Sequence, residues 1–313
     1  MRKILSIDGG GIKGVFPASF LVTVEDSLGT PVAEYLDLIV GTSTGGIIAL
    51  GLGLGMSAQE ICDLYERMGP NVFAPRGRFG RLSGAVFAKY SREPLKGFLT
   101  DAFGERRLGE AKTRLVIPSV NFETGEIHLY KTAHHPKLER DFKEKVVDVA
   151  MATAAAPTYF PAHDHWSGLP LIDGGIWANN PAGVAAVEAT AMLGWSRDEV
   201  HVLSLGCTAE PFDAGILRHG GLGWMFWGPK LADVFMTAQS SASLGTALTV
   251  LAHGNVIRIC PVVAKGRFKL DKVKGIRGLK GLGASQARNE LPKLRRQFFD
   301  NGKAEPFVPC HKL

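Results

Sequence analysis

The sequence predicts an α/β fold, a mainly parallel sheet with helices on both faces. Three observations carry that reading. Short apolar runs at residues 3–7, 36–40, 115–121, Val200–Leu205 and 255–260 recur along the chain, with helix-like segments between them. The first two runs end on glycine-rich turns that open into helices, as strand–turn–helix units do. The third is size: 313 residues at 45% hydrophobic content can bury a full core. With no Pro/Ser-rich linker and no repeat, one domain over 1–313 is expected.

Strand 3–7 ends on Asp8 and runs into Gly9-Gly10-Gly11. A helix is expected over Val15–Leu28, with Pro17 in its first turn, where proline is tolerated, and Gly29-Thr30-Pro31 as its stop. Strand 36–40 then meets Gly41-Thr42-Ser43-Thr44-Gly45. Ser57 and Glu60 form a capping box for a helix through Met68. From 70 to 91 the period is lost among glycine, arginine and aromatics, a composition that fits a flap over a site and an ordinary surface loop equally. Strands are read at 115–121 and 127–130, a small-residue helix at 146–156 broken by Pro157, and a long helix at 229–253.

Composition limits the function classes. No apolar run approaches the roughly 18 residues of a spanning helix. Residues 1–8 are too short for the apolar core of a leader, and any membrane contact is read as peripheral. Cys62, Cys207, Cys260 and Cys310 lie far apart without metal-type spacing, as in a reduced, cytoplasmic protein. The net charge of +6 is uneven: residues 265–296 hold eleven Lys/Arg against Asp271 and Glu290, a local +9 that leaves −3 elsewhere. Such a basic segment is either a solvated face or a site for an anionic partner, such as a lipid surface or phosphate ligand. Stable DNA or RNA binding is not expected.

The chemistry is concentrated in four blocks. Gly41 to Gly45 has the layout of a nucleophile elbow: a strand, a sharp turn with Ser43 at its apex, then a helix. Gly41 and Gly45 leave room for the turn, and the helix N-terminus favours nearby negative charge. Asp8 to Gly14 (DGGGIKG) offers the Gly9, Gly10 and Gly11 amides at a helix N-terminus, which suits an oxyanion. It also contains a G-x-G-x-x-G, but a dinucleotide fold needs an acid at the end of the second strand. Glu25 and Asp26 fall inside the predicted helix instead.

A serine nucleophile needs a base. His201 and His253 are the late histidines near strands, while His134-His135 and His163-x-His165 fall in Pro-rich loops with little metal character. Asp173-Gly174-Gly175 follows an apolar run and is either the base or a turn cap.

DGGGIKG, GTSTGG, Ala154-Ala155-Ala156-Pro157-Thr158-Tyr159-Phe160 and Asp173-Gly174-Gly175, in this order and spacing, resemble the patatin-like phospholipases. The resemblance covers residues 4–181 and implies a patatin-like three-layer fold. It also implies a Ser43–Asp173 dyad, an oxyanion hole at Gly9–Gly11, hydrolysis of membrane glycerophospholipids, and no metal or cofactor. Asp8, Lys13, Gly14, Gly41, Gly45, Gly174 and Gly175 support these motifs. Lys13 departs from the arginine of many members, keeping charge but not bidentate geometry.

The stretch ILSIDGGGIKGVFPASFL is further similar to the patatin-like effectors of bacterial CBASS anti-phage systems. That implies activation by a cyclic di- or trinucleotide, action at the inner membrane, and homo-oligomerisation as a route to activity. Trp224, Phe226 and Trp227 beside Lys230 are either nucleotide-facing aromatics or core. The alternatives are a constitutive lipase and a non-catalytic sensor.

Overall fold

The computed structural model of the chain describes residues 1–74, 88–164, 168–211 and 224–313, excepting the side chains of 224–226 and 228–230. The elements are β1 (Arg2–Ile7), α1 (Val15–Leu28), β2 (Leu38–Gly41), α2 (Thr44–Gly53), α3 (Ala58–Val72), α4 (Glu93–Phe103), β3 (Arg114–Asn121) and β4 (Ile127–Lys131). There follow α5 (Val146–Thr153), β5 (His163–Asp164), β6 (Pro170–Asp173), α6 (Gly175–Ala178), α7 (Ala182–Val187), β7 (Val200–Leu205), α8 (Trp224–Val250), β8 (Val256–Ile259) and α9 (Ile276–Leu294).

The strands form one sheet in the order β5-β6-β3-β2-β1-β7-β8, with β4 also on β3. β1, β2, β3, β7 and β8 are parallel, whereas β4 and β6 each pair antiparallel with β3, and β5 pairs antiparallel with β6. The sheet is therefore mixed, with a parallel centre. β1 pairs in register with both β2 (Ile7↔Gly41) and β7 (Ile7↔Leu205), so the turns after β1 and β2 emerge side by side.

Alternation along the strands feeds two apolar layers. Leu5 and Ile7 of β1 join Ile39, Leu203, Ile257 and helices α1 to α5 and α9 on one face. Ile4 joins Leu38, Val40, Val116, Val200 and Val202 on the other, covered by Ala182, Ala185 and Ala186 of α7 and Ala247 of α8. Helices thus lie on both faces, the expected three-layer arrangement.

Several boundaries differ from the sequence expectation. The β2 strand starts at Leu38, because 32–35 form a 3₁₀ turn closed by Leu36 N–H donating to Ala33 O. The Ser57–Glu60 capping box is present, but α3 continues past Pro70 to Val72, closed by Phe73 N–H donating to Gly69 O. Pro70 has no N–H to donate to Glu66 O, so the last turn of α3 runs with one bond fewer. Helix α5 stops at Thr153 rather than 156, as Ala154 to Phe160 fold into tight turns with Thr158 at φ 71°. Most of the flap suggested at 70–91 lies outside the described residues.

Candidate active site

Ser43 sits between β2 and α2 with φ 55° and ψ −122°. A non-glycine residue rarely holds a positive φ, and here the surroundings enforce it. Gly41 and Gly45 close the turn: a Cβ on Gly41 would strike the Gly45 carbonyl, and one on Gly45 the Ile7 carbonyl at the end of β1. The Ser43 N–H donates to Thr153 Oγ1 at 3.0 Å, and that hydroxyl donates to Pro118 O at 2.6 Å. Below the apex, Thr42 Oγ1 donates to Ala178 O, and Tyr65 Oη donates to Thr44 O.

Asp173 reaches Ser43 through the strand order. Both β2 and β6 pair with the same edge of β3, β2 along Arg114–Val116 and β6 along Ser119–Asn121 from the opposite direction. Their C-terminal ends meet head to head beside Ile117 and Pro118. Ser43 Oγ donates to Asp173 Oδ2 at 2.6 Å, while Gly175 N–H donates to Oδ1 at 2.6 Å. Gly174 allows this close approach, since a Cβ there would enter the Pro118 carbonyl. Burial pushes the Asp173 carboxyl up to about 6, and the Ser43 and Gly175 hydrogen bonds hold it from rising further.

The glycine loop lies against the serine. A Cβ on Gly9 would lie 3.2 Å from Ser43 Cβ, and one on Gly10 2.5 Å from Cys207 Sγ. Gly11 has φ +56° and packs on the Leu270 carbonyl, which accepts from Ile12 N–H at 2.8 Å. The expected set of three free amides is corrected here: Gly9 N–H donates to Asn179 O at 2.9 Å. The Gly10 and Gly11 amides have no acceptor among the described residues. Gly14 is needed beneath the loop, because a Cβ there would collide with Thr44 Oγ1. Lys13 Nζ donates to Thr208 O at 3.3 Å.

Asp8 anchors the loop from behind. Arg258 of β8 grips it with two bonds, Nη1 to Oδ1 at 2.7 Å and Nη2 to Oδ2 at 2.5 Å, and Nη1 also meets Ser204 Oγ at 2.8 Å. Burial works against the Arg258 charge, but Asp8 more than offsets it and holds the guanidinium protonated. Arg258, Asn179 and Thr153 were not singled out in the sequence. A lone arginine within Val256-Ile257-Arg258-Ile259 was a usable signal, because a charge in a buried strand needs a partner.

The alternative bases are elsewhere. His201 pairs with Lys3 near the start of β1, and His253 lies in the turn before β8, both at the opposite end of the parallel strands from Ser43. Buried His134 meets Glu188 Oε1 at 2.8 Å and Thr132 Oγ1 at 2.9 Å. Among the described residues no three His, Cys, Asp or Glu side chains cluster as metal ligands. His165 and the side chains of Trp224, Phe226 and Lys230 lie outside the described residues.

Residues 5–186 match the family model described as patatin-like phospholipase, a span that contains all four motifs. The chain belongs to the patatin-like phospholipase family. It is 38% identical over 245 residues to a cGAMP-activated phospholipase of Pseudomonas aeruginosa (strain BWHPSA011 / Pa011), covering 76% of this chain and 72% of that protein. It is 32% identical over 333 residues to a cGAMP-activated phospholipase of Vibrio cholerae serotype O1, covering 93% and 92%. Among solved structures, VipD from Legionella pneumophila shares the fold with a TM-score of 0.51 at 14% identity, over 98% of this chain and 68% of that one. As a patatin-like phospholipase, the chain is a lipid hydrolase. No helix among the described residues is long and apolar enough to cross a membrane.

Proposed function

We propose that this patatin-like phospholipase releases fatty acids from membrane glycerophospholipids with Ser43 as nucleophile and Asp173 as base, and that a cyclic dinucleotide switches it on. The observation that carries the chemistry is the 2.6 Å Ser43–Asp173 hydrogen bond at the apex of a strained elbow. A carboxylate titrating near 6 is ionised at neutral pH yet basic enough to take a proton in the transition state.

In the acylation step Ser43 Oγ bonds to the ester carbonyl carbon while its proton passes to Asp173 Oδ2. The resulting oxyanion faces the Gly10 and Gly11 amides, whose preorganised dipoles need no reorientation. The carbon–oxygen bond to the glycerol then breaks, and Asp173 returns the proton to the departing alcohol. In the second half Asp173 deprotonates water, which attacks the acyl–serine ester, and the proton goes back to Ser43 as the fatty acid leaves. Asp8 and Arg258 hold the glycine loop in place without touching substrate.

Support for the switch comes from the two bacterial relatives, both cGAMP-activated phospholipases. Their similarity extends the CBASS-effector resemblance beyond the N-terminal stretch, and the inner membrane is our reading of where the enzyme acts. The two apolar clusters share one sheet, which supports reading 1–313 as one domain.

The test is fatty acid release from phospholipid vesicles with and without cGAMP, by wild type and Ser43→Ala. Release that needs both cGAMP and Ser43 is expected. Equal release without nucleotide removes the switch, and no release under any cyclic di- or trinucleotide removes the enzyme reading in favour of a sensor.

A further inference from the structure

Two surface patches are fastened directly to the loops around Ser43. The first is the start of the basic segment. Arg267, Lys269, Lys272 and Lys274 line an open cavity of about 380 Å³ around Phe268, and none of them has an ion-pair partner among the described residues. The acids beside them are occupied: Asp271 is buried and accepts from Lys89 and from Tyr90 Oη, and Glu210 accepts from Gly266 N–H. Leu270, between Lys269 and Lys272 in the chain, is 39% exposed. Leu270 is the residue whose carbonyl holds Ile12 N–H beneath the glycine loop.

The second patch is on α8. Gln239 joins this helix to the turn after Asp173, its Nε2 donating to Gly175 O at 3.0 Å and its Oε1 accepting from Asn179 N–H at 3.2 Å. One turn earlier on the same helical stripe, Phe235 is 63% and Met236 37% exposed. Ile176, beside Gly175, is also exposed. Apolar side chains left in solvent next to unpaired cations are the composition of a surface that meets anionic headgroups and the acyl region beneath them.

We propose that these two patches form the bilayer-docking face of the protein and that its partner is a membrane rich in anionic lipid. This rests on the reading that the substrate ester lies in a bilayer. The open cavity and solvent-directed cations favour a lipid surface over an enclosed nucleotide. Docking there brings lipid to the glycine loop on one side and to the Asp173 turn on the other.

The experiment is co-sedimentation of Ser43→Ala protein with phosphatidylglycerol/phosphatidylethanolamine vesicles and with phosphatidylcholine vesicles, with hydrolysis of dispersed p-nitrophenyl butyrate by Ser43-containing counterparts measured in parallel. Pelleting with the anionic vesicles alone is expected. Lys269→Gln with Lys274→Gln weakens it about 30-fold, and Phe235→Ser about tenfold or more. Both variants keep the wild-type melting temperature and the wild-type rate on the dispersed ester. Equal pelleting with phosphatidylcholine, or unchanged pelleting of both variants, overturns the proposal. Loss of the cGAMP response with intact pelleting in the lysine variant overturns it too, making the patch a nucleotide site. Vesicle binding as expected with no ester hydrolysis by wild type under any cyclic di- or trinucleotide sinks the proposed function and leaves the docking face standing.

Discussion

Replacing Asp173 by asparagine should inactivate the enzyme and make it more stable at neutral pH. The carboxyl is buried, and burial lifts it from 3.8 to about 6 against the pull of two hydrogen bonds. A group raised in the folded state contributes stability that is fully present below its unfolded value and is lost as pH rises through the folded one. A difference of about two pH units at 1.36 kcal/mol each amounts to about 3 kcal/mol, spent between pH 4 and pH 6. Asparagine holds the uncharged form at every pH and can still accept from Gly175 N–H. Urea unfolding at pH 8 should therefore show Asp173→Asn more stable than wild type by about 3 kcal/mol, with the gap closing by about pH 3.5. Wild-type kcat/KM should rise through pH 6 as the base ionises, and the variant should lose about 100- to 10,000-fold or more of that rate. A variant that is destabilised at pH 8, or a gap that does not change with pH, would refute the reasoning. So would near-native turnover.

Three further outcomes follow from the same geometry. Ser43→Gly should abolish hydrolysis yet unfold at higher urea than Ser43→Ala, by about 1–3 kcal/mol, because only glycine relaxes at φ 55°; equal stability would mean that the elbow holds no strain. Gly10→Ala should lower kcat about 100- to 1000-fold on a dispersed ester, since its Cβ would press on Cys207 and turn the amide that receives the oxyanion; unchanged kcat in a folded protein would place the oxyanion donors elsewhere. Arg258→Met should cost about 3–5 kcal/mol by leaving the Asp8 carboxylate buried and unpaired, and Asp8→Asn in the same chain should return part of it. A double variant no more stable than Arg258→Met would show that the two side chains do not act as a pair.

What was legible in the sequence was what local chemistry dictates. The helix Val15–Leu28, the strand that leads into the elbow and the Ser57–Glu60 cap are written in contiguous residues, and all are present. Ser43 itself was legible because strain at a serine needs glycines on both sides of it. The direction of β4 to β6 was not, since β5 and β6 have four residues or fewer and carry little periodicity. Nor was the use of the Gly9 amide, which depends on a carbonyl 170 residues away at Asn179.

The site as a whole depends on that unreadable part. Asp173 is a turn acid by its local sequence, and Asp-Gly-Gly closes many turns without any chemistry. It meets the serine because β6 returns along the edge of β3 that β2 has just vacated, so that two strand ends point at each other across Pro118. Proline has no N–H to leave unpaired in that gap, and its carbonyl is taken by Thr153, the residue that also holds the Ser43 amide. The elbow, the end of α5 and the end of β6 therefore converge on a single break in the sheet. A shift of β6 by one residue along β3 would turn Asp173 to the opposite face and leave Ser43 without a base, so the proposed dyad is a property of sheet register before it is one of two side chains.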